Sequence, residues 1–154
     1  MSETMKAVRL HAFGGPDVLT YEDVPQPGIQ PGEVLVRVRA VGLNPPDWYL
    51  RDGYRALPPE WRPDADFPLI LGTDISGVVD ATAADVNGFK VGDEVHGMVR
   101  FPEGVMTGSG AYAEYVSAPA AHLAHKPAGL DHQQAAAVPM SLLTAWQFLV
   151  ELGH

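Results

Sequence analysis

Leu71–Gly97 reads LGTDISGVVDATAADVNGFKVGDEVHG and holds two runs that are rich in β-branched residues. A turn marked by Asn87-Gly88 separates the two runs, and Val91-Gly92-Asp93 leads into the second one. An Asn-Gly pair between such runs favours a reversal of the chain, because both residues tolerate positive φ. The stretch therefore predicts an antiparallel hairpin that forms part of a barrel.

The composition is that of a globular protein with an acidic surface. The 154 residues carry a net charge of −9, and 46% of them are hydrophobic, which suits one domain with a substantial core. The negative charge disfavours nucleic acid and anionic membranes as partners, and no run of about 18 apolar residues could span a membrane. Met1–Lys6 contains no apolar segment of a secretory signal, so we expect a cytoplasmic location.

The chain contains no cysteine, which bounds its chemistry more sharply than its charge does. Disulfides, thiolate catalysis and metal sites built from cysteine are excluded. A metal site would need the six histidines and the carboxylates, which are scattered along the sequence. We therefore predict no metal site.

The 16 glycines and 14 prolines predict many short strands and turns, as in a barrel or sandwich. In the clearest strand, Val34 and Val36 share one face while Arg37 and Arg39 lie on the other. The predicted strands besides the hairpin are Lys6–His11, Val18–Val24, Val34–Val41 and Ala111–Val116.

The last part of the chain predicts two helices. Asp131 is suited to cap the first helix, and Pro139 stands where a helix tolerates proline, so the second helix begins there. Thr144 lies on a polar face of the second helix. Its other face forms an apolar stripe made of Leu142, Trp146, Leu149 and Val150.

Motifs along nearly the whole chain follow one pattern. They are Lys6-Ala7-Val8 with Gly14-Gly15-Pro16, then Pro31–Val36, Gly110–Val116, Ala135–Pro139 and Leu143–Trp146. Together with the hairpin, they resemble the medium-chain dehydrogenase/reductase superfamily, in its zinc-less quinone oxidoreductase-like branch. The resemblance implies a mainly β fold with short helices, a GroES-like partly open β-barrel over residues 1–130. The helical segment of residues 131–154 would then connect to a Rossmann domain that is absent from this chain, so the chain by itself is expected to be inactive.

Two positions set this sequence apart from the zinc alcohol dehydrogenases of the same superfamily. Gly72-Thr73-Asp74 stands where those enzymes carry Gly-His-Glu, and threonine is a poor zinc ligand. Asn44 stands where they carry the first metal-ligand cysteine, and the zinc-less reductases carry asparagine there. The resemblance therefore implies reduction without zinc.

The segment around Asn44 is the best candidate for the site. Its carboxamide could hydrogen-bond the nicotinamide ribose of a cofactor or the carbonyl of a substrate, which makes Asn44 a catalytic and cofactor-binding candidate. Tyr49 and Tyr54 are protonated phenols at neutral pH and could polarise a carbonyl or donate a proton. The alternative is that Asn44 ends a strand and the two rings pack in the core.

Further candidates are weaker. Thr144 matches a position at which the superfamily contacts the cofactor, although a threonine inside a helix can also bond its own backbone. Asp47 and Arg51 are spaced to pair on a short helix. The loops Ala56–Asp66 and Phe101–Gly108 are expected to line part of the substrate site.

The function predicted from these residues is reduction of quinones or α,β-unsaturated carbonyls by hydride transfer from NADPH or NADH. The expected partner is a small-molecule quinone or enone, with no nucleic acid and no membrane, and a homodimer is a candidate assembly of the intact enzyme. Two alternatives stay open: a non-catalytic GroES-like binding or assembly module, and a zinc-type alcohol dehydrogenase with an atypical metal site.

Overall fold

Eight strands form two antiparallel sheets in the computed structural model, which describes residues 3–62, 64–101 and 109–153. The smaller sheet has the order β2-β1-β4 and the larger one β7-β3-β5-β6-β8. The strands are β1 Thr4–Leu10, β2 Leu19–Pro25, β3 Glu33–Gly42, β4 Leu69–Ile70, β5 Asp74–Thr82, β6 Glu94–Met98, β7 Tyr115–Pro119 and β8 Ala124–His125.

Three short α-helices lie in the described residues, α1 Pro45–Arg51, α2 His132–Ala136 and α3 Pro139–Trp146. Three 3₁₀ helices accompany them, at Pro16–Val18, Pro59–Trp61 and Ala120–His122. One π-helical turn, Gln147–Glu151, continues α3. Asp131 caps α2 as predicted, because its Oδ1 accepts a hydrogen bond of 2.8 Å from the backbone N of Gln134. Within the described residues, no helix combines the length and the apolar character needed to cross a bilayer.

The predicted hairpin is confirmed as the pair β5–β6. Ser76 lies opposite His96 and Gly77 opposite Val95, so the two strands run antiparallel. Gly88 and Gly92 in the connection have φ of 95° and 94°, values at which a Cβ atom is strained.

The main core is built from buried apolar side chains of the larger sheet. Val34 and Val36 on β3 and Val79 on β5 are buried, and they pack with Val95 on β6. The alternation predicted for β3 is confirmed, because Arg37 and Arg39 are exposed on the opposite face. Each of these buried valines stabilises the fold by roughly 1.5–3 kcal/mol.

The predicted strand Ala111–Val116 is wrong in its position, because the strand begins only at Tyr115. Residues 110–114 instead cross between the two sheets and bond to both. The carbonyl of Tyr112 accepts from Val8 on β1 at 2.8 Å, and the carbonyl of Glu114 accepts from Val38 on β3 at 2.8 Å. Alternation alone cannot distinguish such a crossing segment from a strand.

Helix α2 packs behind the end of β3. A Cβ atom on Gly42 would lie 2.4 Å from the carbonyl oxygen of Ala136, so only glycine permits this approach. Ala135 and Ala136 are fully buried. The division of the chain at residue 130 stays a prediction.

Candidate functional site

Asn44 lies where β3 gives way to α1. Its backbone N donates a hydrogen bond of 2.8 Å to Oδ2 of Asp47, the third residue of the helix. Pro45 and Pro46 open the helix, in the first turn, where missing N–H donors are tolerated. These contacts fix the backbone that carries Asn44.

Asp47 is a buried carboxylate at the centre of this arrangement. Its Oδ2 also accepts a hydrogen bond of 2.9 Å from the hydroxyl of Tyr112. Burial raises the pKa of Asp47 above its usual value, and hydrogen bonds from the Asn44 backbone, the Tyr112 hydroxyl and the Gly72 backbone oppose that rise. The carboxylate therefore depends on its donors to stay ionised.

The ring of Tyr112 lies directly against the backbone of Gly72. A Cβ atom on Gly72 would come within 2.4 Å of two ring carbons of Tyr112. Gly72 also has a φ of 88°, which L side chains rarely adopt. Glycine is therefore required here both by backbone conformation and by the space that the ring occupies.

Thr73 and Asp74 are both buried, and they bond to each other and to α3. The hydroxyl of Thr73 donates to Oδ1 of Asp74 at 3.2 Å, and the backbone N of Met140 donates to Oδ2 at 2.8 Å. Burial raises the pKa of Asp74, and the charge of Asp47 raises it further, while Met140, the Asn44 carboxamide and Thr73 oppose the rise. Two buried carboxylates therefore lie close to Asn44.

The carboxamide of Asn44 has spare hydrogen-bonding capacity. It lies close enough to Asp74 to favour the ionised form of that carboxyl. Its Nδ2 is nevertheless buried with no complete hydrogen bond to any described residue. A buried donor without a partner costs roughly 1–3 kcal/mol, so an acceptor oxygen on a ligand would recover that free energy.

Tyr49 and Tyr54, the two predicted phenols, lie next to each other. Their ring centroids are 5.9 Å apart, and Tyr49 is 40% exposed while Tyr54 is half-buried. Burial, followed by the charges of Asp47 and Tyr49, raises the pKa of Tyr54. The charge of Asp47 thus acts on Tyr54, while the Tyr54 ring packs against the buried cluster of Leu10, Leu50, Leu69 and Leu71.

Thr144 is exposed on α3, four residues after Met140, whose backbone bonds Asp74. No hydrogen bond among the described residues links Thr144 to Asn44. Its role as a cofactor contact therefore stays a prediction.

The predicted pairing of Asp47 with Arg51 is wrong. Asp47 turns inward to Tyr112, and Nε of Arg51 donates instead to the carbonyl of Gly14 at 3.3 Å. Burial of the carboxylate explains the difference, because a buried acceptor is satisfied by the donors around it rather than by a helix neighbour. Of the loop Phe101–Gly108, only Phe101 lies within the described residues.

Sequence reasoning missed Tyr112 and the inward orientation of Asp47. A signal for Asp47 was present, because Asn44 followed by an acidic residue three positions later fits the N-terminal pattern of a helix. Nothing local to Tyr112 indicates its partner, which lies 65 residues away in the sequence.

Two cavities lie in this part of the fold. A small one of about 250 Å³ is lined by Asn44, Asp47, Trp48 and Arg51, among others. A larger one of about 590 Å³ lies between β6 and α3 and is lined mostly by apolar side chains, including Leu142 and Trp146. Among the described residues, no three or more histidine, aspartate or glutamate side chains come together in a way that could hold a metal ion.

Comparison with known proteins gives a consistent result. Residues 30–128 match the model of the alcohol dehydrogenase GroES-like domain. The chain is 36% identical over 159 residues to NAD(P)H oxidoreductase RTN4IP1, mitochondrial, of Danio rerio, an alignment covering 97% of this chain and 40% of the relative. It is 37% identical over 148 residues to the quinone oxidoreductase of Lama guanicoe, covering 95% of this chain and 41% of that protein.

A solved structure agrees with these relatives. The quinone oxidoreductase of Coxiella burnetii superposes with a TM-score of 0.83 at 34% identity, covering 97% of this chain and 45% of that one. The predicted fold, mainly β and GroES-like with open sheets, is thereby confirmed. The chain spans about two fifths of the length of the curated relatives it matches.

Proposed function

This chain belongs to the alcohol dehydrogenase GroES-like domain family, within the medium-chain dehydrogenase/reductase superfamily, and we propose that it forms the substrate-side domain of an NAD(P)H-dependent quinone or enone reductase. The relatives named as quinone and NAD(P)H oxidoreductases support the class of reaction. The finer assignment comes from the residues around Asn44.

The observation that carries the proposal is Nδ2 of Asn44, which is buried near the Asp74 carboxyl and makes no complete hydrogen bond within the described residues. A ribose hydroxyl of a nicotinamide cofactor or a carbonyl oxygen of the substrate would complete its hydrogen bonding. The donor is fixed in place by α1, since the Asn44 backbone is bonded to Asp47. Such a preorganised donor suits an oxygen that gains negative charge during the reaction.

The chemistry that a nicotinamide cofactor supplies when bound is hydride transfer. Binding of the substrate or cofactor oxygen and donation of a hydrogen bond would be the task of residues of this chain. Asn44 binds and orients an oxygen atom, and the raised pKa of Tyr54 keeps its phenol protonated, so the hydroxyl can donate to a developing enolate or quinol oxygen. Tyr49, more exposed and beside Tyr54, would contact the substrate from the open side.

We also propose that the reaction proceeds without zinc. The sequence supplies no cysteine, and Thr73 stands at the position of a zinc-ligand histidine with its hydroxyl engaged by Asp74. A carbon that is already electrophilic, as in a quinone or enone, needs donors for its oxygen rather than a metal to ionise an alcohol.

The exposed apolar face of α3 supports contact with a nucleotide-binding domain. Leu149 in the following π-helical turn is 76% exposed, and Leu142 and Trp146 on α3 are also exposed. Such a contiguous apolar surface is typical of an interface. Thr144 on the same helix would then lie near the bound cofactor.

Replacement of Asn44 tests the proposal. In the protein as its gene encodes it, Asn44→Ala should lower the kcat for quinone-dependent NAD(P)H oxidation by about tenfold or more, because a donor to a charged oxygen is lost. Asn87→Ala is the matched control, since Asn87 is exposed in the β5–β6 connection. Equal turnover in the two variants and the wild type would contradict the assignment of Asn44.

A further inference from the structure

We propose that Tyr112 is a positioning residue of this site, whose hydroxyl acts through Asp47 to hold Asn44 in its working orientation. The inference rests on the proposed function, because it concerns the same reaction. It assigns a role to a side chain that approaches the site from the segment between the two sheets.

Tyr112 and Asn44 share one hydrogen-bond acceptor. Oδ2 of Asp47 accepts from the hydroxyl of Tyr112 at 2.9 Å and from the backbone N of Asn44 at 2.8 Å. The same oxygen thus links the tyrosine to the residue that begins α1. A change at the Tyr112 hydroxyl therefore affects Asn44 through Oδ2 of Asp47.

Packing and backbone hydrogen bonds position the Tyr112 ring. It packs against the bare Cα of Gly72, and the backbone of Tyr112 donates to Leu71 at 2.9 Å. Residues 110–114 are also held by β1, through the bond from Val8 to the Tyr112 carbonyl. The hydroxyl is therefore presented to Asp47 from a rigid frame.

The Tyr112 hydroxyl also affects the charge of Asp47. The titratable groups near Asp47 are Asp74 on β5, Tyr54 just after α1 and Tyr112, and the charge of Arg51 on α1 acts on Tyr112. Burial already raises the pKa of Asp47, and the Tyr112 hydroxyl is one of three donors that oppose the rise. Loss of this donor raises the pKa further, and a protonated carboxyl is a weaker acceptor for the Asn44 N–H.

The chain itself allows a direct test by NMR. In the ¹⁵N-labelled 154-residue chain, the backbone amide shift of Asn44 reports the ionisation of Asp47 during a pH titration. Tyr112→Phe, which keeps the ring against Gly72, should move the midpoint to higher pH. A single fluorine on the ring of Tyr112 makes its hydroxyl a stronger donor and should move the midpoint to lower pH.

The controls make either outcome decisive. Tyr21→Phe alters an exposed ring and should leave the midpoint of Asn44 unchanged. Identical midpoints in the wild type, Tyr112→Phe and the fluorinated chain would overturn the inference. If Tyr112→Phe does not fold, the fluorinated chain alone still decides it.

Kinetics then separate this inference from the proposed function. In the protein as its gene encodes it, Tyr112→Phe should lower kcat by about tenfold with a smaller change in KM, and the acid limb of its pH profile should move to higher pH. If Asn44→Ala is inactive while Tyr112→Phe keeps the wild-type kcat and pH profile, the positioning role fails alone. If Asn44→Ala is fully active, the proposed function fails with it.

Discussion

Two features require glycine at position 72, its positive φ and the Tyr112 ring beside it, and only the first of them applies to Gly88. Gly72 and Gly88 both have strongly positive φ, but a Cβ atom would meet the Tyr112 ring only at Gly72, whereas nothing lies within 4 Å at Gly88. Gly88→Ala should therefore lose roughly 1–2 kcal/mol of unfolding free energy from backbone strain alone. Gly72→Ala should lose about 1–3 kcal/mol more from overpacking. Equal losses by chemical denaturation would show that the ring contact is unimportant.

The raised pKa of Asp74 predicts how the free energy of unfolding changes with pH. Its folded pKa lies above its unfolded value, so its contribution is fully present below the unfolded pKa and is lost as the pH rises through the folded pKa. The free energy of unfolding of the wild type minus that of Asp74→Asn should therefore fall as the pH rises from the unfolded pKa of about 3.9 through the raised folded one. Denaturation series at several pH values measure this difference, in which the other titrating groups largely cancel. A constant difference would contradict the raised pKa.

The sequence predicts site residues unevenly at this scale. Asn44, Tyr49 and Tyr54 fall within eleven consecutive positions, on α1 or beside it, so a local pattern points to them together, and their roles stay predictions. Tyr112 was not, since its role depends on a contact across 65 residues that only the crossing of the two sheets creates. The predicted pair of Asp47 and Arg51 failed for the same reason, because burial supplied Asp47 with a better donor.

At the scale of elements, residues close together in the sequence predict the start of α2 and the pairing of β5 with β6. The Asp131 cap and the pairing of β5 with β6 were predicted correctly, whereas the hydrogen-bonded turns of the connection lie at Ala84-Asp85 and Val91-Gly92 rather than at Asn87-Gly88. The strand predicted at Ala111–Val116 lies instead at Tyr115–Pro119, because pairing with β3 decides where β7 begins. Strand bounds of this kind depend on tertiary pairing rather than on the residues themselves.

The α2 cap can be tested by itself. Asp131 accepts from the backbone of Gln134 at 2.8 Å, and the Gln134 side chain accepts from the backbone of Asp131 at 3.1 Å. Asp131→Ala should lower the free energy of unfolding by about 1 kcal/mol. Asp131→Asn keeps an acceptor oxygen and should lose much less. If both variants lose the same amount in urea denaturation, charge at the helix start, rather than the cap, is the stabilising feature.

At the scale of the whole molecule, the two sheets and α1 bring Asn44, Asp47, Asp74 and Tyr112 into one buried cluster, and α3 adjoins it through Met140. The hydrogen-bond donors of the cluster, in a poorly solvated place, suit stabilisation of a developing oxyanion, and the carboxylates serve as acceptors that hold the donors in position. The apolar face beside it suits a partner domain. The cytoplasmic location and the homodimer stay predictions.

The central claim is that this domain serves reduction of an electrophilic carbon without zinc. The most direct measurement follows NAD(P)H oxidation by the protein as its gene encodes it, with a quinone as substrate, before and after dialysis against a metal chelator. A parallel assay offers NAD(P)⁺ and a primary alcohol. The account predicts quinone-dependent oxidation that the chelator leaves unchanged, with no measurable alcohol oxidation. Alcohol oxidation that the chelator abolishes and added zinc restores would contradict it.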